Sequence, residues 1–320
     1  MGEKKICVVL MTYGSPATLD DIPTYLKRVR GGREPDEALV AEFRRRYQLI
    51  GGSPLLRITG DQAACLETEL NGSGDDHGLR YRVVAGMRFS PPLIADVVLE
   101  SASDADHLVG VIMSPQYSPT IMGGYVQSLQ RAVAGLGRRG ELELRISEDW
   151  HLQPFFLRAL AERVEQALGR FPPEVRGRVP VLLTAHSMPK RVVEDEPGYV
   201  DDLRGTAAAV AEMVGLPKDR WMFCYQSAGH TPEEWLKPDF ADVMPELRDA
   251  GYRQVLVAPV QFLADHLEVL YDIEIGARGQ AEAVGMQFNR IESLNTSPLF
   301  IKGLSAVVHE TMAKAPLSSR

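Results

Sequence analysis

The sequence predicts an α/β protein with two similar parallel-sheet lobes and a cleft between them. Three observations carry this. Short apolar runs alternate with longer amphipathic ones from end to end, the pattern of strands joined by helices. The short runs are apolar on both faces, as strands covered by helices on either side must be. Four of them precede about residue 148 and four follow it.

In order, the strand candidates are 6–11, 81–85, 108–113, 142–146, 179–184, 221–225, 254–259 and 285–288. They are short, often β-branched, and bounded by Gly, Pro or Ser. Helix starts are expected at Ser53-Pro54, Ser90-Pro91, Ser118-Pro119 and Ser297-Pro298. Serine can accept a bond from a free N–H of the first turn, and proline fits the first helical position, where its missing N–H has no partner anyway. Over 155–168 the spacing of Phe156, Leu157, Leu160, Val164 and Leu168 is helical. The expected domains are 1–148, 149–296 and a last helix within 297–320 that packs back on the first lobe. Ligands of such sheets sit beyond the carboxyl ends of strands, which selects the segments after Met11, Met113, Thr184, Tyr225 and Pro259.

Composition narrows the function. The chain of 320 residues has a formal net charge of -8, and an acidic surface repels phosphate backbones, so nucleic acid is not expected as a partner. Yet Lys27, Arg28, Arg30, Arg33, Arg44, Arg45 and Arg46 crowd one stretch. They read either as a solvated helix face or as a landing site for an anionic small molecule. The three cysteines, Cys7, Cys65 and Cys224, are far apart without metal-like spacing. A reducing, cytoplasmic setting is therefore expected, and no iron–sulfur cluster. The apolar run at 6–11 is too short for a secretory leader, and no run approaches the roughly 18 residues of a membrane span.

Gly135-Leu136-Gly137-Arg138-Arg139-Gly140 matches G-x-G-x-x-G, but it follows a helix and precedes a strand, the reverse of a dinucleotide fingerprint. There is no Walker phosphate loop, H-E-x-x-H or G-x-S-x-G. Three segments at predicted strand ends remain. The first is Leu183-Thr184-Ala185-His186-Ser187-Met188-Pro189; a lone histidine is more often structural, but this one stands at the ligand edge. The second is Cys224-Tyr225-Gln226-Ser227-Ala228-Gly229-His230, followed by Trp235, readable also as a capped loop beside a packed tryptophan. The third runs from Pro259 through Asp265-His266-Leu267-Glu268 to Tyr271-Asp272. If it is helical from Asp265, then Asp265, Glu268 and Asp272 share a face at i, i+3 and i+7. That stripe is either an exposed acidic face or a place to bind a dication or collect protons.

In this order and spacing, A-H-S-M-P, Y-Q-S-x-G and D-H-L-E-V-L-Y-D resemble the ferrochelatase family, and the resemblance runs from Leu10-Met11-Thr12-Tyr13-Gly14-Ser15-Pro16 to the last helix. It implies two Rossmann-like lobes and insertion of Fe(II) into a porphyrin, with no tightly bound cofactor. It implies His186 and Glu268 as catalytic and metal-contacting residues, Asp272 as a supporting acid, and Tyr13 on the other macrocycle face and near the metal. Arg30, Arg46, Ser53 and Tyr125 match positions that contact substrate. Tyr13 is similar to the tyrosine of the branch that acts on coproporphyrin III, whose four carboxylates suit the basic stretch at 27–46. Protoporphyrin IX is the alternative substrate. A cobalt or nickel chelatase, a non-catalytic porphyrin or haem carrier, and an exported two-lobed solute-binding protein are the rivals. A monomer with a transient haem-handling partner is expected.

Overall fold

The computed structural model describes residues 3–72, 78–116, 118–137, 142–194, 196–228 and 233–317. Gly229 and His230 of the second segment, and Arg138, Arg139 and Gly140 of the glycine pattern, lie outside them. The chain forms two compact units, 1–153 with 295–320, and 154–294.

In the first unit β1 (Lys4–Thr12) leads through a 3₁₀ turn to α1 (Ile22–Val29), α2 (Glu37–Leu49) and α3 (Leu55–Gly72). Then come β2 (Leu79–Met87), α4 (Ile94–Ser101), β3 (His107–Ile112), α5 (Pro119–Gly135) and β4 (Glu143–Ile146). The second unit holds α6 (Pro154–Gly169), α7 (Pro173–Arg176), β5 (Val181–His186), α8 (Lys190–Glu194), α9 (Pro197–Val214) and β6 (Trp221–Gln226). It continues with α10 (Phe240–Asp249), β7 (Gln254–Pro259), a π-helix (Glu268–Ala277), α11 (Arg278–Ala283) and β8 (Gln287–Arg290). The last helix, α12 (Pro298–Met312), belongs to the first unit.

Both sheets are four-stranded and parallel, ordered β2-β1-β3-β4 and β6-β5-β7-β8. In each, the chain first winds to one side and then crosses to the other. This creates a topological switch point between β1 and β3, and again between β5 and β7, where such sheets bind ligands. The central strands β1 and β3 are apolar on both faces and buried. Buried among them, the Cys7 thiol is pushed up to about 12 by desolvation and is therefore inert. On α6, Phe156, Leu157, Leu160, Val164 and Leu168 are all buried. Among the described residues, no helix is long and apolar enough to cross a membrane.

Some local expectations are corrected. Ser118 does cap α5, accepting from the Ile121 N–H at 3.2 Å. Ser90-Pro91 starts no helix, because Pro91-Pro92 is a cis turn and α4 begins only at Ile94. Strand β8 starts at Gln287 rather than 285, since Gly285 sits at φ +74 and closes the turn after α11. The first unit extends through Gln153 rather than 148: Trp150 donates its indole N–H to the Ile112 carbonyl at 3.2 Å and stacks on Phe300 of α12. Helix α12 packs on α3, β3 and β4.

Candidate active site

The switch point of the second unit gathers the histidine and the acid. Strand β5 runs to His186, beyond its last pairing with β7 at Thr184–Pro259. The His186 side chain therefore emerges at the sheet edge. Its backbone N–H donates to Gln261 Oε1 at 2.9 Å, just past β7, and Gln261 in turn donates to the Tyr199 hydroxyl. His186 Nδ1 is bonded to the Ser187 carbonyl. A carbonyl can only accept, so Nδ1 carries the hydrogen and Nε2 of the neutral ring keeps its lone pair. That Nε2 lies 3.9 Å from Glu268 Oε2.

A second histidine completes the group. His266 Nδ1 is 3.0 Å from the Ala264 carbonyl, and its Nε2 is 3.7 Å from the same Glu268 oxygen. Phe262 braces the ring edge-on, with centroids 4.6 Å apart. Desolvation pushes the Glu268 carboxyl up, but attraction to the imidazoles of His186 and His266 in their protonated forms outweighs it and holds the group at about 2. Burial lowers His266, and the Glu268 carboxylate more than reverses this, so its pKa is raised. The result is a carboxylate held ionised between two imidazoles, with side-chain exposure of 28% for His186 and 39% for Glu268. Solvent and ligand can reach both.

The sequence pattern placed Asp265 on the same stripe, and the structure corrects this. Helical structure begins only at Leu267, and the Asp265 carboxylate turns away to Ser293 Oγ at 2.8 Å and Arg290 at 3.4 Å. The helix that follows is a π-helix, a rare form frequent at functional sites. Asp272 comes next along it after Glu268, half-buried, and Gly276 follows where a further acid would extend the row. His266 escaped the sequence reading for a physical reason. Residues i and i+2 point apart on a helix, and only the non-helical backbone at 265–266 lets His266 and Glu268 meet. Its adjacency to Glu268 in D-H-L-E was the available signal. Beside this group, Ser227 adopts a left-handed φ of 60, and among the described residues its buried hydroxyl and the Gln226 amide nitrogen have no hydrogen-bond partner.

In the first unit Tyr13 follows β1 at the other switch point. The turn needs Gly14, whose φ is +94 and where a Cβ would stand 2.4 Å from Ser90 Oγ. Tyr13 is 44% exposed, and its ring packs on Phe89 at 4.6 Å and on Tyr25 at 6.5 Å. Tyr125 is buried on α5 beneath the Arg88 guanidinium, 5.4 Å above its ring; burial raises its hydroxyl pKa beyond the ordinary tyrosine range. Ser53 is half-buried at the start of α3, its Oγ accepting from the Leu55 N–H at 3.3 Å. Arg46 is paired with Glu42 at 2.7 Å on its own helix, and Arg30 is exposed at the end of α1. The structure thus brings His186 and Glu268 together in one unit, and links Tyr13 with Tyr125 through Phe89 and Arg88 in the other. Arg88 was not singled out by the sequence, because it lies far from the basic stretch at 27–46.

The sequence profile of the ferrochelatase family matches residues 5–312. The chain belongs to the ferrochelatase family. It is an enzyme of metal insertion. It is 39% identical to a ferrochelatase of Herpetosiphon aurantiacus over 95% of this chain and 98% of that one. It is 35% identical to a coproporphyrin III ferrochelatase of Geobacillus kaustophilus over 98% of each. Among solved structures, SirB from Bacillus subtilis with Fe3+ shares the fold at a TM-score of 0.59 and 13% identity, covering 97% of this chain and 96% of that one. In a ferrochelatase, iron is cargo. His186 Nε2 and the Glu268 carboxylate are two donors suited to a passing borderline dication.

Proposed function

We propose that this ferrochelatase inserts Fe(II) into coproporphyrin III, with release of two protons, in haem biosynthesis. The observation that carries the reading is the His186–Glu268 pair, with Nδ1 of the imidazole committed to a carbonyl and Nε2 left open beside an ionised carboxylate. Metallation removes two pyrrole N–H protons and strips water from the ion. A neutral imidazole is the side chain suited to accept a proton near pH 7. His186 Nε2 takes the pyrrole proton. Glu268 stabilises the imidazolium that forms, and contacts the iron as it sheds water. His266, held toward its charged form by Glu268, keeps that carboxylate oriented. Asp272, next along the helix, is the supporting acid that receives protons leaving the pair. The iron passes from these donors to the four ring nitrogens, so no resident cofactor is needed. Tyr13, exposed on the turn after β1, contacts the macrocycle and the metal, as phenolates do in some haem proteins.

Coproporphyrin III is favoured over protoporphyrin IX by its four carboxylates, which suit the basic stretch at 27–46, with Arg30, Arg46, Ser53 and Tyr125 as contacts. The relative from Geobacillus kaustophilus bears that substrate in its name. The test is an anaerobic assay with Fe(II), comparing kcat/KM on both porphyrins. Catalytic haem formation with a coproporphyrin preference is expected. A protoporphyrin preference overturns the substrate choice, and binding without turnover overturns the enzymatic reading.

A further inference from the structure

The end of β5 is held differently on its two sides. Toward β6 the ladder goes on, the Ser187 N–H donating to the Gln226 carbonyl at 2.7 Å. Toward β7 the last backbone rung runs from the Val260 N–H to the Thr184 carbonyl at 2.9 Å. In a parallel ladder the next rung would take the His186 N–H to the Val260 carbonyl. That N–H donates instead to Gln261 Oε1, at 2.9 Å. A backbone N–H inside a sheet needs an acceptor, and here a side-chain amide stands where the departing backbone of β7 no longer reaches.

The amide is itself oriented. The His186 N–H can only donate, so Oε1 faces it and Nε2 turns to the Tyr199 hydroxyl at the start of α9. Tyr199 is buried. Burial first, and then the Glu268 charge, raise its pKa beyond the ordinary tyrosine range, so it stays a neutral hydroxyl close enough to the carboxylate to feel it. The His186 ring is tied to the Ser187 carbonyl through Nδ1, so the ring follows the backbone of 186–187. Three segments thus converge on one amide: the end of β5, the stretch after β7 and the start of α9.

We propose that Gln261 is a positioning residue for metal insertion: its amide replaces the missing rung, Tyr199 holds that amide, and together they fix the overhang from which His186 Nε2 meets Glu268. The inference rests on the reading of His186 as proton acceptor given above. Gln261 acts through the His186 backbone rather than on the macrocycle or the iron.

The experiment uses the full chain with Gln261→Met, Gln261→Glu, Tyr199→Phe and the double variant Gln261→Met/Tyr199→Phe. Methionine keeps the length of the side chain and removes both polar ends. Glutamate keeps the accepting oxygen and lets the Tyr199 hydroxyl donate to it. Amide hydrogen exchange at His186 is followed by NMR, and kcat and KM by anaerobic metallation of coproporphyrin III with Fe(II); circular dichroism checks that each variant folds. Exchange of the His186 N–H should rise by about tenfold or more in Gln261→Met and stay near the wild-type rate in Gln261→Glu. In Gln261→Met kcat should fall by about ten- to a hundredfold, the order that a small misplacement of a reacting group costs, while the porphyrin KM stays within about twofold. Gln261→Glu should recover most of that loss. Tyr199→Phe should lose part of kcat, and the double variant should be no worse than Gln261→Met, since both changes act through one link. A lower Tm with unchanged kcat in Gln261→Met marks a merely structural role and overturns the proposal. So do equal losses in the Met and Glu variants, or additive losses in the double variant. A wild type that forms no haem defeats the metallation reading, while the exchange contrast between the variants still judges the rung.

Discussion

At the residue scale the chemistry turns on which nitrogen of each imidazole carries hydrogen. The backbone carbonyls of Ser187 and Ala264 set this for His186 and His266, and both Nε2 atoms then face one carboxylate oxygen. His186→Ala removes the proton acceptor but none of the basic contacts. It should lower metallation by at least about 100-fold, in the range of general-base loss, while porphyrin quenching titrations stay measurable; near-normal turnover would defeat the assignment. The Glu268–His266 pair carries a pH signature. The Glu268 pKa is depressed to about 2 and that of His266 is raised. The carboxylate's contribution to stability is therefore present above its ordinary pKa of about 4.3 and is lost as pH falls toward 2. The imidazolium's contribution is present below about 6.5 and is lost as pH rises through its raised value. The wild type should thus exceed Glu268→Gln in Tm most at mildly acidic pH, and less on either side. Ring-proton NMR should show the His266 pKa falling in that variant; an unmoved titration would mean the pair is not coupled. In the sequence His186 stood out because it sits just beyond a predicted strand, and Glu268 because it belongs to an acidic stripe; the family resemblance then implied their roles. His266 did not stand out, because its role depends on a backbone break no periodicity reports.

At the element scale, the strands carry the site by where they stop. Strand β5 projects His186 past β7, and β1 ends in a turn that only a glycine at φ +94 can make. Element type and position were readable from apolar runs: 254–259 and 298–312 coincide with β7 and α12. Errors gathered where local grammar was ambiguous. Ser-Pro can open a helix or a turn, and an acidic string after a strand can enter a helix late. Packing between elements is tight at Gly110 in β3, where a Cβ would approach Leu129 Cδ2 to 2.5 Å and Met11 Cε to 2.9 Å. Gly110→Ala should destabilise the protein by about 1–3 kcal/mol, the cost of overpacking a core, read as a lower Tm with little change in the metal-insertion residues of the second unit. A neutral result would mean the β3–α5 layer relaxes freely.

At the scale of the whole molecule, each unit has its own buried apolar cluster, one around Val9, Leu108 and Leu129 and the other around Val257, Val269 and Phe288. The first unit is nevertheless completed only by the end of the chain, where α12 packs on α3, β3 and β4. Helix α12 buries Phe300, Leu304 and Val308, and beyond it Leu317 donates its N–H to the Leu144 carbonyl at 2.8 Å. Ending the chain at Leu294 should therefore strip hydrogen-exchange protection from β3 and β4 while that of β5 and β7 persists. Equal loss in both units would show that they fold as one.

The amino-acid order alone was enough to set the eight strands and their sequence along the chain, because hydrophobic periodicity reports local burial. It was also enough to bring out the motif residues that mark a ferrochelatase. Strand order, and hence the switch points beside Tyr13 and His186, came only with the folded chain, since partners far apart in sequence leave no local trace. The same holds for the shared carboxylate of His186 and His266, and for the close approach of the Arg88 guanidinium to Gly124. Each is a distance between segments that only packing can set.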